Sequence, residues 1–181
     1  MEKENEVKSL LQSALVEIYN SEKFCESYLQ KAQKLGLQGE KRRLRYLSVI
    51  WHNLKNYLHC DYFDLFGASL ESGHSETPPP TVASIQDFFK KTCSHFEKMY
   101  DFLHGIANKL MPANGYCYAT CFLEKCNCIA EYIKEYRRII MEGEAAGWSA
   151  EYIQRLLIHQ TTWHNVHDCF EEKEKEVGYN Y

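Results

Sequence analysis

Residues 40–65 read EKRRLRYLSVIWHNLKNYLHCDYFDL, the longest uninterrupted amphipathic run in the chain. Leu44, Leu47, Trp51, Leu54 and Leu58 recur three and four positions apart, the spacing that places side chains on one face of a helix. That face must pack on other elements. The charged opening Glu40 to Arg43 and the polar residues His52, Asn53 and Lys55 lie beside it, and they pose the functional question: a binding surface or a solvated flank.

A chain of 181 residues suits one domain spanning 1–181, with enough length to bury a core without covalent staples. Its 45% hydrophobic and 25% charged residues fit a globular protein, and 14% aromatics favour tight helix packing. A net charge of -4 and a pI near 6.1 argue against a nucleic-acid binder, which needs a basic stripe to neutralise phosphates. The opening MEKENEVK holds no apolar run of signal-peptide length, and nowhere do eighteen apolar residues occur together. These features predict a soluble, cytoplasmic protein with no membrane partner, whose eight cysteines are reduced thiols serving as small core groups.

Around the central run the chain reads as about six helices. The first covers Glu4 to Tyr19, with Val7, Leu11, Ala14 and Ile18 on one face. Asn20 or Ser21 offers an N-cap for a second helix carrying Phe24, Tyr28, Ala32 and Leu35, with Gly36 as its stop. After the central helix, residues 71–80, ESGHSETPPP, form an exposed proline-rich loop. Thr81 or Ser84 caps a fourth helix that ends before Pro112. A fifth runs from Tyr116 to Met141 with a near-heptad stripe of Tyr118, Phe122, Cys126, Ile129, Ile133, Tyr136 and Ile140. Gly143 to Gly147 breaks it, and Ser149 caps a sixth helix that holds Ile153, Leu156, Trp163, Val166 and Phe170. With no strand-like alternation, the pattern predicts an all-α antiparallel bundle with mostly short connections.

Few chemical motifs stand out. Cys117, Cys121 and Cys128 on one side of the fifth helix, Cys126 and Cys169 off that side, and His164 and His167 on the sixth are groups that zinc could use, but they lack the tight Cys-x2-Cys spacing of a zinc knuckle. A ferritin-like di-iron centre requires two Glu-x-x-His pairs; no Glu is followed three residues later by His, and Asp101 with His104 is a single near-match. The glycines sit singly, without a nucleotide-binding pattern. No catalytic residue, metal ligand or cofactor is therefore assigned. A metal-binding or redox helical bundle stands as the alternative reading.

The central run resembles the third helix of the 14-3-3 family, through Glu40, Arg42 or Arg43, Leu47, Ser48, Val49, Trp51 and Asn53. The stretch NKLMPANG followed by Phe122 and Lys125 is similar to the family's junction between its fourth and fifth helices, and Glu17, Tyr19 and NSEKF sit where its second helix begins. The resemblance covers the whole chain and about the first two-thirds of the family's nine helices. It implies a non-enzymatic dimeric adaptor whose concave groove grips phosphoserine or phosphothreonine peptides, the phosphate held by cationic forks.

At the family's phosphate-gripping positions this chain departs. His52 stands where a lysine is expected, and Leu58 where an arginine is expected, with His59 next to it. The Arg-Tyr pair of the fifth helix falls on Tyr132 and Ile133, or on Glu131 and Tyr132. An ordinary imidazole is mostly neutral at pH 7. The resemblance thus implies a protein or peptide partner, a homodimer, and phosphopeptide recognition that is weakened or lost. The candidate binding residues are His52, Asn53, His59, Lys125, Glu131 and Tyr132.

Overall fold

The computed structural model describes residues 2–70, 78–110 and 120–176. Among these residues the chain is all-helical, as the periodicity predicts: α1 Glu2–Lys34, α2 Gln38–Phe66, α3 Ile85–Lys109, α4 Thr120–Ala146, α5 Ala150–His159 and α6 Thr161–Glu176. No helix among them is long and apolar enough to cross a membrane.

Four long helices form the bundle, and side-chain pairs fix their directions. Glu22 of α1 meets Lys55 of α2 at 2.9 Å, while Lys8 lies over the Phe66 ring, so α1 and α2 are antiparallel. Tyr28 packs on Phe88, Phe24 on His95, and Glu17 meets Lys98, so α3 also runs against α1. Likewise α4 runs against α3, through Phe96 with Tyr136, and against α2, where the Phe122 amide donates to Asp61. Both α2 and α3 therefore start at the end of the bundle where α1 finishes, so the chain between Phe66 and Ile85 has the length of α2 to make up. The 29 residues of α2 make a helix of about 43 Å, which an extended connector of that size can span at roughly 3.3 Å per residue. Neighbouring helices are antiparallel and the joints at 35–37, 147–149 and 160 are short, as expected, while the segment between α2 and α3 is long. Residues 71–77 of the expected loop lie outside the described residues. At its far end the Pro80 carbonyl accepts from the Tyr28 hydroxyl at 3.1 Å.

Three predicted boundaries also change. The break at Asn20 and Ser21 does not occur. Ser21 caps nothing; buried, its Oγ lies 3.0 Å from His95 Nε2, and with no glycine or proline nearby α1 continues through 33 residues. Gly143 is not a break either. It lies buried inside α4, where a Cβ would come within 3.0 Å of both Ile153 and Trp148, so the missing side chain lets α5 approach; the helix stops at Gly147, at φ 69°. The sixth segment splits at Gln160, whose extended backbone (ψ 137°) separates α5 from α6 and whose carbonyl accepts from the Trp163 amide in the first turn of the new helix. The two helices matched to the start of the family are thus one helix, and the last is two. Other caps stand as read: Ser84 accepts from the Asp87 amide, Ser149 from that of Tyr152, and Gly36 takes the left-handed conformation after α1.

The core follows the predicted stripes. Leu44, Leu47, Trp51, Leu54 and Leu58 of α2 are buried, as are Phe122, Cys126, Ile129, Ile133, Tyr136 and Ile140 of α4. Pro112, Tyr116, Cys117 and Tyr118 lie outside the described residues. Of the described cysteines, Cys25 and Cys126 are sealed thiols, as expected; Cys60 is exposed, and Cys93, Cys128 and Cys169 are half-buried.

His95 provides a test of this packing. It stacks on Phe24 with ring centroids 3.9 Å apart, and burial, with a smaller push from Lys98, lowers its imidazole to about 3. The unfolded chain takes up this proton near pH 6.5 and the fold only near 3, so His95 removes stability as pH falls between those values. Urea unfolding of wild type should show a loss from this residue approaching ~1.4 kcal/mol per pH unit below pH 6. In His95→Gln, which keeps a partner for Ser21 but does not titrate, that part of the slope should disappear; equal slopes in both proteins would refute it.

Candidate functional site

The candidate residues fall into separate environments. On the α1–α2 surface His52 is half-exposed, with Nδ1 3.2 Å from a Glu22 carboxylate oxygen; the other oxygen of Glu22 takes Lys55 Nζ. Lys55 also lies over the Tyr19 ring. Glu22 is itself largely buried, so its charge is matched by Lys55 and not by solvent. Asn53 and His59 are half-buried on the same helix, and burial, aided by Lys55, lowers the His59 imidazole. The two histidines thus offer no permanent cation, and Lys55 is already engaged.

On α4 the pattern is different. Glu131 is exposed, while its neighbour Tyr132 is fully buried among Phe96, Tyr136 and Trp163, with a hydroxyl that has no hydrogen-bond partner. Burial raises its phenol well above the usual range. Lys125, read as a groove lysine, is fully buried instead. Its ammonium donates to the Cys169 carbonyl and lies over the rings of Tyr57 and Phe170. The structure therefore brings His52, Lys55 and Glu22 together, and Lys125 together with α6; it does not join these two groups or turn Tyr132 toward either.

Three features were not assigned from the sequence. At the head of α2, Glu40 and Arg43 form a buried ion pair, and Glu40 also accepts from the Tyr136 hydroxyl at 3.0 Å. The Arg43 guanidinium sits 5.8 Å from the ring centres of Tyr136 and Trp163, with two of its nitrogens unpartnered. A signal existed: Glu40 lies one heptad before Leu47, so the apolar stripe of α2 projected backwards passes through it. The second feature is a contact between Cys128 of α4 and Cys169 of α6, with Sγ atoms 2.8 Å apart. Nothing in the sequence could announce it, because the two residues lie on different helices. The third is a cavity of about 310 Å³ between α4, α5 and Gln160, with Trp148 and Tyr152 on its apolar side and Glu135, Arg138 and Glu142 at its charged edge.

A single long crossover is also the connectivity of ferritin-like bundles. Among the described residues, however, no group of three or more His, Cys, Asp or Glu side chains is placed to hold a metal ion. The interior where such ligands would converge holds Cys25, Tyr28, Trp51, Phe96 and Tyr132 instead.

Removing one partner of the buried ion pair leaves a desolvated charge. Glu40→Ala should cost about 3–5 kcal/mol in urea unfolding, and Glu40→Met combined with Arg43→Leu should recover most of that loss. A cost below about 1 kcal/mol for the single substitution would show that water reaches Arg43. No family model matches the chain and no curated protein matches it, so the functional reading rests on the chemistry of these clusters.

Proposed function

We propose that the chain is a non-enzymatic helical adaptor, of the class that the 14-3-3 resemblance implies, in which phosphate-dependent recognition has been lost. One observation carries this reading: the groups best placed to grip phosphate are engaged or sealed, while Glu131, at one of the expected positions, is an exposed acid. His52 and Lys55 share Glu22, Tyr132 is enclosed, and the Lys125 ammonium is used inside the bundle. A phosphate dianion would have to displace the Glu22 carboxylate, and each charge-assisted contact it fails to make forfeits about 1.5–3 kcal/mol. Two such losses outweigh the margin of a micromolar peptide complex.

The partner is then a protein or peptide recognised by apolar contact. The cavity beside Trp148 and Tyr152 is a suitable receptor, since it pairs an aromatic wall with charged groups that can orient a ligand. Its size lies at the lower end of the range for ligand pockets, enough for one or two side chains. Assembly as a cytoplasmic homodimer belongs to the same proposal.

Fluorescence anisotropy with matched phosphorylated and plain peptide libraries tests the reading. Peptides that bind should do so with equal affinity in both forms, and Tyr152→Ala should weaken them by at least about fivefold. Tight binding that requires the phosphate and is lost in His52→Ala would overturn it. Light scattering reports the mass in solution, and a strict monomer would remove the dimer from the proposal.

A further inference from the structure

Lys125 has no carboxylate within ion-pair distance among the described residues, although its side chain is fully buried. A desolvated ammonium is costly without a counter-charge, and the faces of Tyr57 and Phe170 with one carbonyl supply only part of it. The group that can supply the rest is the Cys169 thiol, whose Sγ lies 3.6 Å from Nζ. On its other side the Cys128 thiol donates to the same sulfur at 2.8 Å. Cys169 thus receives one hydrogen bond from a thiol and one from a cation, the environment that favours a thiolate.

The two cysteines differ accordingly. The hydrogen bond from Cys128, followed by the charge of Lys125, lowers the Cys169 thiol against the opposing effects of burial and of Glu124; Cys128, the donor, is raised. Cys25 and Cys126 are raised by complete burial and have no access to solvent. Cys169 and Cys128 are half-buried and keep some contact with solvent. Their sulfurs need to close only from 2.8 Å to the ~2.05 Å of a disulfide.

We infer that Cys169 and Cys128 form a peroxide-reactive dithiol, Cys169 the attacking nucleophile and Cys128 the resolving thiol, with Lys125 as the positioning cation. The inference is independent of the adaptor reading. The Cys169 thiolate attacks one oxygen of hydrogen peroxide; the O–O bond breaks and hydroxide leaves, taking a proton to become water. Cys169 is then a sulfenic acid. Cys128 loses its proton and attacks the Cys169 sulfur; the S–O bond breaks, a second water leaves, and an S–S bond joins α4 to α6. Two thiols are oxidised and one peroxide is reduced. An external thiol such as dithiothreitol restores the pair by exchange.

The full chain, reduced and then treated with one equivalent of hydrogen peroxide, should yield a peptide map with one dominant cross-link, Cys128 to Cys169, reversed by dithiothreitol. Cys128→Ser should stop at the sulfenic acid, which dimedone captures at position 169. Cys169→Ser should abolish both products. At pH 7 Cys169 should react at least about tenfold faster than the exposed Cys60. Lys125→Met should move the rising limb of the rate against pH upward, and Lys125→Arg should restore it; helical circular dichroism verifies that the variants fold. Cross-links formed chiefly by other cysteines, or oxidation of Cys60 ahead of Cys169, would overturn the dithiol assignment. An unmoved pH profile in a folded Lys125→Met would remove the lysine from it, and if that variant does not fold, dimedone trapping in Cys128→Ser decides the nucleophile.

Discussion

The buried ion pair of Glu40 and Arg43 ties more elements together than any other polar contact described. Glu40 opens α2; its backbone amide and that of Gly39 share the Gln154 side chain of α5, and its carboxylate takes Tyr136 of α4. Leu37 gives the helix no side-chain cap, so Gln154 does from another helix what a serine usually does locally. Arg43 extends under Trp163 of α6. Four helices are thereby registered against one another at one end of the bundle. Hydrophobic stripes alone would hold these helices together yet allow them to slide, since apolar contact has little directionality. A charge pair desolvated inside the bundle does not, because a shift of one turn would strand one partner.

That registration determines what the lower half of the bundle can do. With Trp163 held beside Tyr46 and Tyr132, α6 descends between α2 and α4, so that Phe170 reaches Tyr57 and Cys169 reaches Cys128. Lys125 lies at the centre of this contact. A helical stripe reader places it on the buried face, since Phe122, Lys125, Ile129, Tyr132 and Tyr136 follow a three-four rhythm. Its charge invites the opposite reading, a cation turned to a groove. Packing decides between them: α4 is covered by α3 on one side and by α2 and α6 on the other, so its buried face is wide enough to include the lysine.

The resemblance to the 14-3-3 family illustrates the same division. It rests on α2, whose helical period agrees with the structure, and on residues 108–115, of which 111–115 lie outside the described residues. At the ends of the chain it placed two helices where α1 is one and one helix where α5 and α6 are two. The residues that would grip phosphate are sequence positions, and their use depends on neighbours. His52 looks available in the sequence, yet Glu22 of another helix is already beside it.

Residue order alone is enough for the all-α class, the buried stripes of α2 and α4, the caps at Ser84 and Ser149, and the glycine turn at Gly36. Each follows from side-chain period or backbone preference, which act within a few residues. Packing between helices alone settles that α2 and α3 start at the same end of the bundle, that Ser21 bonds to His95 instead of capping a helix, and that Gly143 is a point of close approach. Only it paired Glu40 with Arg43 away from water, sealed Lys125, and brought Cys128 to Cys169. These depend on contacts between groups far apart in the chain. Such contacts arise from how faces pack, and helical period fixes the faces without fixing their partners.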